Sequence, residues 1–170
     1  MRRTFVVIGL MLFPLVLEAQ ADPFLVRVRG YAHSVRLDTG VIWTTVSGTP
    51  KENFVRVLQV LQAQGIPFRA ADSLRLFVQH PSFTVRGRLA GARISRWLSC
   101  GRGMSGEYAD NWLVNLAYAV QLTAVDGGTR LGVSMAAGAS DVEGASKPPL
   151  SCGTTGRFEK HLAGLVELER

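Results

Sequence analysis

The sequence is poor in the side chains that most often carry redox and metal chemistry. Its 170 residues include two cysteines and three histidines. Cys100 and Cys152 are not part of a C-x-x-C motif, and the histidines fall in unrelated segments. Such a set leaves little material for a metal site or a redox-active thiol pair. We therefore expect no metal and no cofactor.

Long apolar runs are also lacking. The run at 5–17 is 13 residues long and contains Pro14, whereas a membrane-spanning helix needs about 20 residues. Two arginines precede this run, and Ala19-Gln20-Ala21 follows it as a small-x-small cleavage site. This order is typical of a secretory signal peptide. We predict a signal peptide at 1–21, cleavage after Ala21, a periplasmic or secreted product, and no transmembrane span in the mature chain.

The rest of the chain has the composition of a folded domain. Hydrophobic residues make up 47% of the sequence and charged residues 19%, which excludes disorder on compositional grounds. We find no internal repeat and no linker, so we predict an N-terminal arm or strand at 22–40 and a single domain at 41–170. An exported chain meets an oxidising compartment, and its two cysteines therefore predict one disulfide, Cys100–Cys152.

Two segments have the pattern of amphipathic helices. Thr49-Pro50-Lys51-Glu52 is a capping box with proline at the first helical position. The apolar residues that follow recur at i, i+3, i+4 and i+7 until Gly65, which is typical of one helix face. A second pattern of this kind follows Gly156. We predict helices at about 50–64 and 156–168.

Between these helices the apolar period changes from 3.6 residues to two. The longest alternation, 112–125, leads through the turn Asp126-Gly127-Gly128 into a returning strand at 129–139. Shorter strand candidates lie at 41–46, 68–71, 74–78, 83–89 and 93–100, and 140–151 has the composition of a loop. Strands joined by short turns predict an α+β fold, with an antiparallel sheet of about five to seven strands and both helices packed on one face.

Sequences that resemble catalytic motifs lack the context their chemistry needs. The segment 101–106 matches G-x-G-x-x-G, but a strand follows it where a dinucleotide site needs a helix. Ser134 lies inside a strand and not in a strand-to-helix elbow. Glu107 and Asp110 could act as general acid and base of a hydrolase, but they lie in a polar, turn-forming segment where solvated carboxylates are the default. We predict that the protein is not an enzyme, and a hydrolase is the less favoured alternative.

Positive charge is concentrated in one part of the chain. The net charge is +6, and seven arginines lie between residues 69 and 102 with a single aspartate. A three-residue turn at 90–92 would pair Leu89 with Arg93 and place Arg86 opposite Arg96, with Arg88 on the same face. Like charges across a sheet are destabilising, whereas an anion between guanidinium groups would be bound well. We predict a candidate anion-binding set of Arg86, Arg88 and Arg96; the alternative is a solvated surface.

Two cysteine-containing segments carry a resemblance to known proteins. Cys100-Gly101 follows a strand, and Cys152-x-x-x-Gly156-Arg157-Phe158-Glu159 leads into the C-terminal helix. In this layout, over roughly 40–168, the chain resembles small exported bacterial proteins, most of them uncharacterised. Its strand–helix–strands–helix order is also distantly similar to the helix-grip domains of the outer-membrane assembly lipoprotein C. The resemblance implies a helix-grip-like fold and a binding or scaffold role, with no catalytic residue.

These features together predict a non-catalytic exported envelope protein. The candidate partners are an acidic envelope polymer, an anionic lipid headgroup or an envelope protein. Nucleic acid is not expected, because aromatic residues do not alternate with the arginines as they do in many nucleic-acid-binding surfaces. A carrier of a small apolar ligand, held between helix and sheet, is the alternative.

Overall fold

The computed structural model describes residues 22–142 and 147–169. The predicted signal peptide at 1–21 lies outside the described residues. The strands, in chain order, are β1 (Leu25–Val26), β2 (Val35–Arg36), β3 (Ile42–Val46), β4 (Ala70–Asp72), β5 (Phe77–Arg86), β6 (Arg88–Leu89), β7 (Ala92–Arg93), β8 (Leu98–Ser99), β9 (Arg102–Gly103), β10 (Gly106–Glu107), β11 (Leu113–Val125), β12 (Gly128–Ser140) and β13 (Leu150–Thr154). The helices are α1 (Pro50–Ala63), α2 (Tyr108–Asn111), α3 (Arg157–Leu168) and a short 3₁₀ helix (Ile94–Arg96).

Seven of these strands form one antiparallel sheet. Its order is β4-β5-β11-β12-β13-β8, and β3 pairs with the other half of the same β12 edge. β11 and β12 are its two central strands and pair along their whole length, from Leu113 opposite Ser140 to Val125 opposite Gly128. The predicted α+β class, with an antiparallel sheet of up to seven strands, is therefore confirmed.

The two long helices lie on one face of the sheet. At the start of α1, the Thr49 side chain accepts a hydrogen bond from the Glu52 amide, and the Glu52 carboxylate accepts one from the Thr49 amide, so the predicted capping box is present. The buried side chains of α1 and α3 form one apolar core with the side chains on one face of β11 and β12. This core explains why both helices have a 3.6-residue apolar period.

The opposite face of the sheet is covered by the N-terminal segment. We call residues 22–37 the strap. Its ends pair as β1 and β2, and Arg36 binds the carboxylates of Asp22 (2.7 Å) and Asp38 (2.5 Å). Three buried apolar side chains of the strap are Val26, Val28 and Leu37. They pack on one aromatic residue and three alanines of the sheet: Phe77, Ala117, Ala119 and Ala136. The sheet is thus covered on both faces, by helices on one side and by the strap on the other.

The two cysteines join neighbouring strands. Cys152 lies in β13, opposite Ala137 of β12, and Cys100 directly follows β8, the partner of β13. Their sulfur atoms are bonded, and both residues are buried. The predicted disulfide is confirmed, and it ties the outermost strand of this edge to its neighbour just before α3 begins.

Several predicted strands have different boundaries in the structure. The candidates 74–78 and 83–89 each overlap one strand, β5, which continues through Pro81 because a bulge opposite Leu116–Tyr118 accommodates it. Residues 93–100 are not one strand, because the 3₁₀ helix interrupts them. The predicted loop 140–151 ends in β13, which begins at Leu150 and pairs with β12 and β8.

The turn at 90–92 was predicted with the wrong length. Ala90 and Gly91 both have positive φ (48° and 71°), so β6 and β7 are joined by a two-residue turn. Arg88 therefore lies opposite Arg93, and Leu89 lies opposite Ala92. The predicted pairing of Leu89 with Arg93 is wrong by one residue. The G-x-G-x-x-G segment is the small β9–β10 hairpin and does not open a long helix.

Candidate functional site

The sheet face beneath the strap has an apolar half and a polar half. Alternation along the strands places Ala117 and Ala119 on this face in the middle of β11, where the strap packs. Towards the start of β11 the same alternation brings Asn115, opposite Thr84 of β5 and Gly138 of β12. The change from alanine to polar side chains marks where the apolar packing of the strap on the sheet ends, although Arg29 of the strap still contacts Asn115.

A polar cleft lies at this boundary. Its volume is about 530 Å³. It is lined by strap and sheet residues: Arg27, Val28, Arg29, Tyr31, Ser82, Thr84, Leu113, Asn115 and Ser140. The two arginines are the charged members of this lining, and no acidic residue is among them. The charged groups that line the cleft are therefore both positive.

The strap brings both arginines to the cleft. Val26 and Val28 are buried against the sheet, whereas Arg27 and Arg29 are exposed. Arg29 and Gly30 form a turn, in which the Tyr31 amide donates to the Val28 carbonyl oxygen (3.4 Å). Both arginines thus line one cleft on a segment that is itself anchored in a core.

Hydrogen bonds fix the floor of the cleft. The side-chain oxygen of Asn115 accepts a hydrogen bond from the Arg29 amide (3.2 Å), and the side-chain nitrogen of Asn115 donates one to the Ser82 hydroxyl (2.8 Å). The Tyr31 hydroxyl donates to the carbonyl oxygen of Cys152 (3.2 Å), and burial raises the pKa of this phenol. Asn115 therefore holds the strap and β5 together, and the disulfide-linked strand positions the far end of the strap.

Two glycines allow the strap to approach so closely. A Cβ atom on Gly138 would overlap the carbonyl oxygen of Arg29 and lie 2.6 Å from its carbonyl carbon. Gly30 has a φ of +87°, and a Cβ atom there would overlap the backbone of Leu150. The position of Arg29, and with it the cleft, thus requires glycine at both positions.

The structure separates the three arginines predicted as an anion site. Arg86 ends β5 opposite Leu113, a residue of the cleft, and alternation places it on the same face as Thr84. Arg88 donates a hydrogen bond to the carbonyl oxygen of Gly91 (2.5 Å). Arg96 lies in the 3₁₀ helix, with its guanidinium carbon 5.2 Å from the ring centre of Trp97. Arg86 is therefore not opposite Arg96, and that predicted register is wrong.

The strap arginines were not singled out from the sequence. The alternation of Arg27 and Arg29 with Val26 and Val28 is visible there, within the segment predicted as an N-terminal arm or strand. What the pattern does not show is which part of the sheet this arm covers. A basic residue at every second position of an otherwise apolar arm was the one available signal.

The carboxylates considered as an acid–base pair have structural partners. Glu107 lies 3.4 Å from Arg102 across the β9–β10 hairpin. Asp110 accepts hydrogen bonds from the amide and the hydroxyl of Ser95, both at 2.8 Å. Across residues 22–142 and 147–169, no three His, Cys, Asp or Glu side chains lie together in an arrangement that could hold a metal ion.

The space between the helices and the sheet is filled by side chains. Val57, Leu61 and Val166 of the helices are completely buried there. A shallower apolar depression of about 350 Å³ lies at the edge of this layer, beside the start of α1: Lys51, Phe54, Val55, Ser73, Leu74 and Leu76. The apolar-ligand carrier remains an untested prediction, and this depression is the place where it would apply.

No model of a protein family matches this chain, and no curated protein matches it significantly. Within the part of the chain that the structure describes, no helix is long and apolar enough to cross a membrane. The structure is an α+β fold whose sheet is covered on both faces, with two arginines in a polar cleft beside the strap.

Proposed function

We propose that this protein is a non-catalytic, exported binding protein of the cell envelope that binds an anionic ligand in the cleft beneath the strap. The observation that carries the proposal is the cleft lining, where two arginines meet hydroxyl and amide groups with no acidic side chain. A guanidinium group binds carboxylate or phosphate through two parallel hydrogen bonds. The predicted signal peptide and the disulfide support an exported location.

The protein surface makes the attraction between these two arginines and an anion stronger than it would be in bulk water. Two opposite charges 4 Å apart attract each other by about 1 kcal/mol in water and about 4 kcal/mol near a protein surface with an effective dielectric constant of 20. Among the described residues, the ion pairs found involve other arginines. The guanidinium groups of Arg27 and Arg29 are therefore available to a ligand. Arg86 lies on the same sheet face, opposite Leu113 at the border of the cleft.

Binding to an immobilised sulfated dextran, measured across a salt series, tests the proposal. The mature protein is compared with an Arg27→Ser, Arg29→Ser variant and with the Arg86→Ser, Arg88→Ser, Arg96→Ser variant. An Arg157→Ser, Lys160→Ser variant removes two charges from exposed positions in α3, on the helix side, and is the matched control.

The strap variant should lose most of the binding, and the control should retain it. Binding by the unaltered protein should weaken as salt rises, because charges are screened over about 10 Å at 0.1 M salt. The triple variant should have an intermediate effect, because Arg86 alone of its three residues adjoins the cleft. Equal binding by the strap variant and the control would refute the cleft as the anion site.

A further inference from the structure

We propose that the ligand of the cleft is an acidic saccharide, a chain of hydroxyl-bearing rings that carry carboxylate groups. This inference rests on the proposed function and adds the ligand class. Its basis is that the cleft combines two cations with a larger number of neutral groups that can both donate and accept hydrogen bonds. To bind an inorganic anion, the cleft would need the two arginines but not these neutral groups.

Three hydroxyl groups of the cleft have hydrogen-bonding capacity left for a ligand. Ser82 accepts a hydrogen bond from Asn115 and keeps its own proton for a ligand. Within the described residues, Thr84 has no hydrogen bond from its hydroxyl group, although it lies directly opposite Asn115 on the cleft floor. Ser140 makes a long contact of 3.5 Å with the Leu113 carbonyl oxygen, at the limit of a hydrogen bond. Sugar hydroxyls both donate and accept, which is the chemistry these groups match.

The size of the cleft also favours a saccharide. Its volume of about 530 Å³ falls within the range of roughly 300–1,000 Å³ typical of pockets for organic ligands. Most such pockets have mainly apolar linings, but here only Val28 and Leu113 are apolar, and Val28 is buried. The cleft therefore suits a ligand that is both large and polar throughout.

The number of arginines fits a ligand with repeated charges. Arg27 and Arg29 both line the cleft, and Arg86 lies past Thr84 on the same face of β5. A polymer with one carboxylate on each ring could meet more than one guanidinium group at once. A lipid headgroup offers its charge at a surface, and the cleft lining contributes no protruding apolar side chain that would enter a bilayer.

Four probes separate the possible ligands. These are trigalacturonate, its fully methyl-esterified form, inorganic phosphate, and vesicles of phosphatidylglycerol. The ester keeps the rings but loses the charges. Binding to the mature protein is measured by titration calorimetry for the small ligands and by co-sedimentation for the vesicles.

Two variants separate charge from hydrogen bonding. Thr84→Val removes a hydroxyl from the cleft floor while keeping the shape and the charge. Thr45→Val, at an exposed position of β3, is its matched control. The Arg27→Ser, Arg29→Ser variant removes the charges.

We expect trigalacturonate to bind at least about ten times more tightly than its methyl ester or phosphate. Thr84→Val should weaken trigalacturonate binding by about two- to tenfold, the value of one hydrogen bond, and should leave phosphate binding unchanged. Thr45→Val should change neither, and the arginine variant should lose both ligands.

Three results would contradict the proposal, and they do so at different levels. If phosphate binds as tightly as trigalacturonate and Thr84→Val has no effect, the site is a general anion site, so the proposed function stands and the saccharide is wrong. If the vesicles bind through the strap arginines and trigalacturonate does not, the ligand is a lipid headgroup. If no probe depends on Arg27 and Arg29, the proposed function itself is refuted.

Discussion

Replacing Gly138 by alanine tests whether the strap lies on the sheet as described. The new Cβ atom would lie 2.6 Å from the carbonyl carbon of Arg29 and would overlap its oxygen. Carbon atoms pack best at about 3.5–4.0 Å, so the strap must withdraw by about 1 Å or more at this point. Since β12 is a central strand held on both sides, we expect the strap to move and the sheet to stay.

The cost follows from what the strap buries. Val26, Val28 and Leu37 are each at most 3% exposed, and burying such a side chain contributes about 1.5–3 kcal/mol. A gap of 0.5–1 Å loses about a quarter to a half of the contact energy. We therefore expect Gly138→Ala to lower the free energy of unfolding by about 1–3 kcal/mol, which agrees with the usual cost of forcing an extra carbon into a packed site.

Urea denaturation and amide hydrogen exchange measure the two effects. The amide of Leu37 donates to the Phe24 carbonyl oxygen (2.8 Å) and closes the strap, so its exchange should become faster in the variant. Gly153→Ala is the matched control, because a Cβ atom on this strand glycine would meet nothing within 4 Å, and it should change stability by less than about 0.5 kcal/mol. If Gly138→Ala also left stability and Leu37 exchange unchanged, the close contact between strap and sheet would be wrong.

Three further changes test other parts of the fold. Replacing both Cys100 and Cys152 by alanine should lower the unfolding free energy in urea by about 4 kcal/mol, because the bond closes a loop with a sequence separation of 52. Thr49→Ala should cost about 1 kcal/mol in the same assay, because it removes the helix cap, and a change below 0.3 kcal/mol would count against that cap. Burial raises the pKa of Tyr118, so the folded protein keeps this proton to higher pH than the unfolded chain. The contribution of this proton to stability should be complete below about pH 10 and be lost above it. Tyr118→Phe should flatten that alkaline loss in thermal unfolding.

The parts of the fold that depend on neighbouring residues could be predicted from the sequence. The helix α1 begins at its capping box because the residues that satisfy the first amides lie within three positions of each other. The β11–β12 hairpin follows from strict alternation on both sides of Asp126-Gly127. The disulfide needed only a count of cysteines and a compartment.

The predicted register at 90–92 shows where local patterns stop being sufficient. A three-residue and a two-residue turn differ by a single position, and Ala90 gives little sign that it adopts a positive φ of 48°. That one position decides whether Arg88 or Leu89 lies opposite Arg93. Since side chains alternate between faces with a period of two, such an error moves every residue of the strand to the other face.

The sequence by itself determined the fold class, the two long helices, the central hairpin and the presence of arginine in excess. Only the tertiary structure decided which arginines meet the polar end of the sheet. Arg29 and Asn115 are separated by 86 positions in the chain, and Gly138, which lets the strap approach, lies further still. No periodic pattern relates positions so far apart, because their contact follows from the order of the strands and the path of the strap across them.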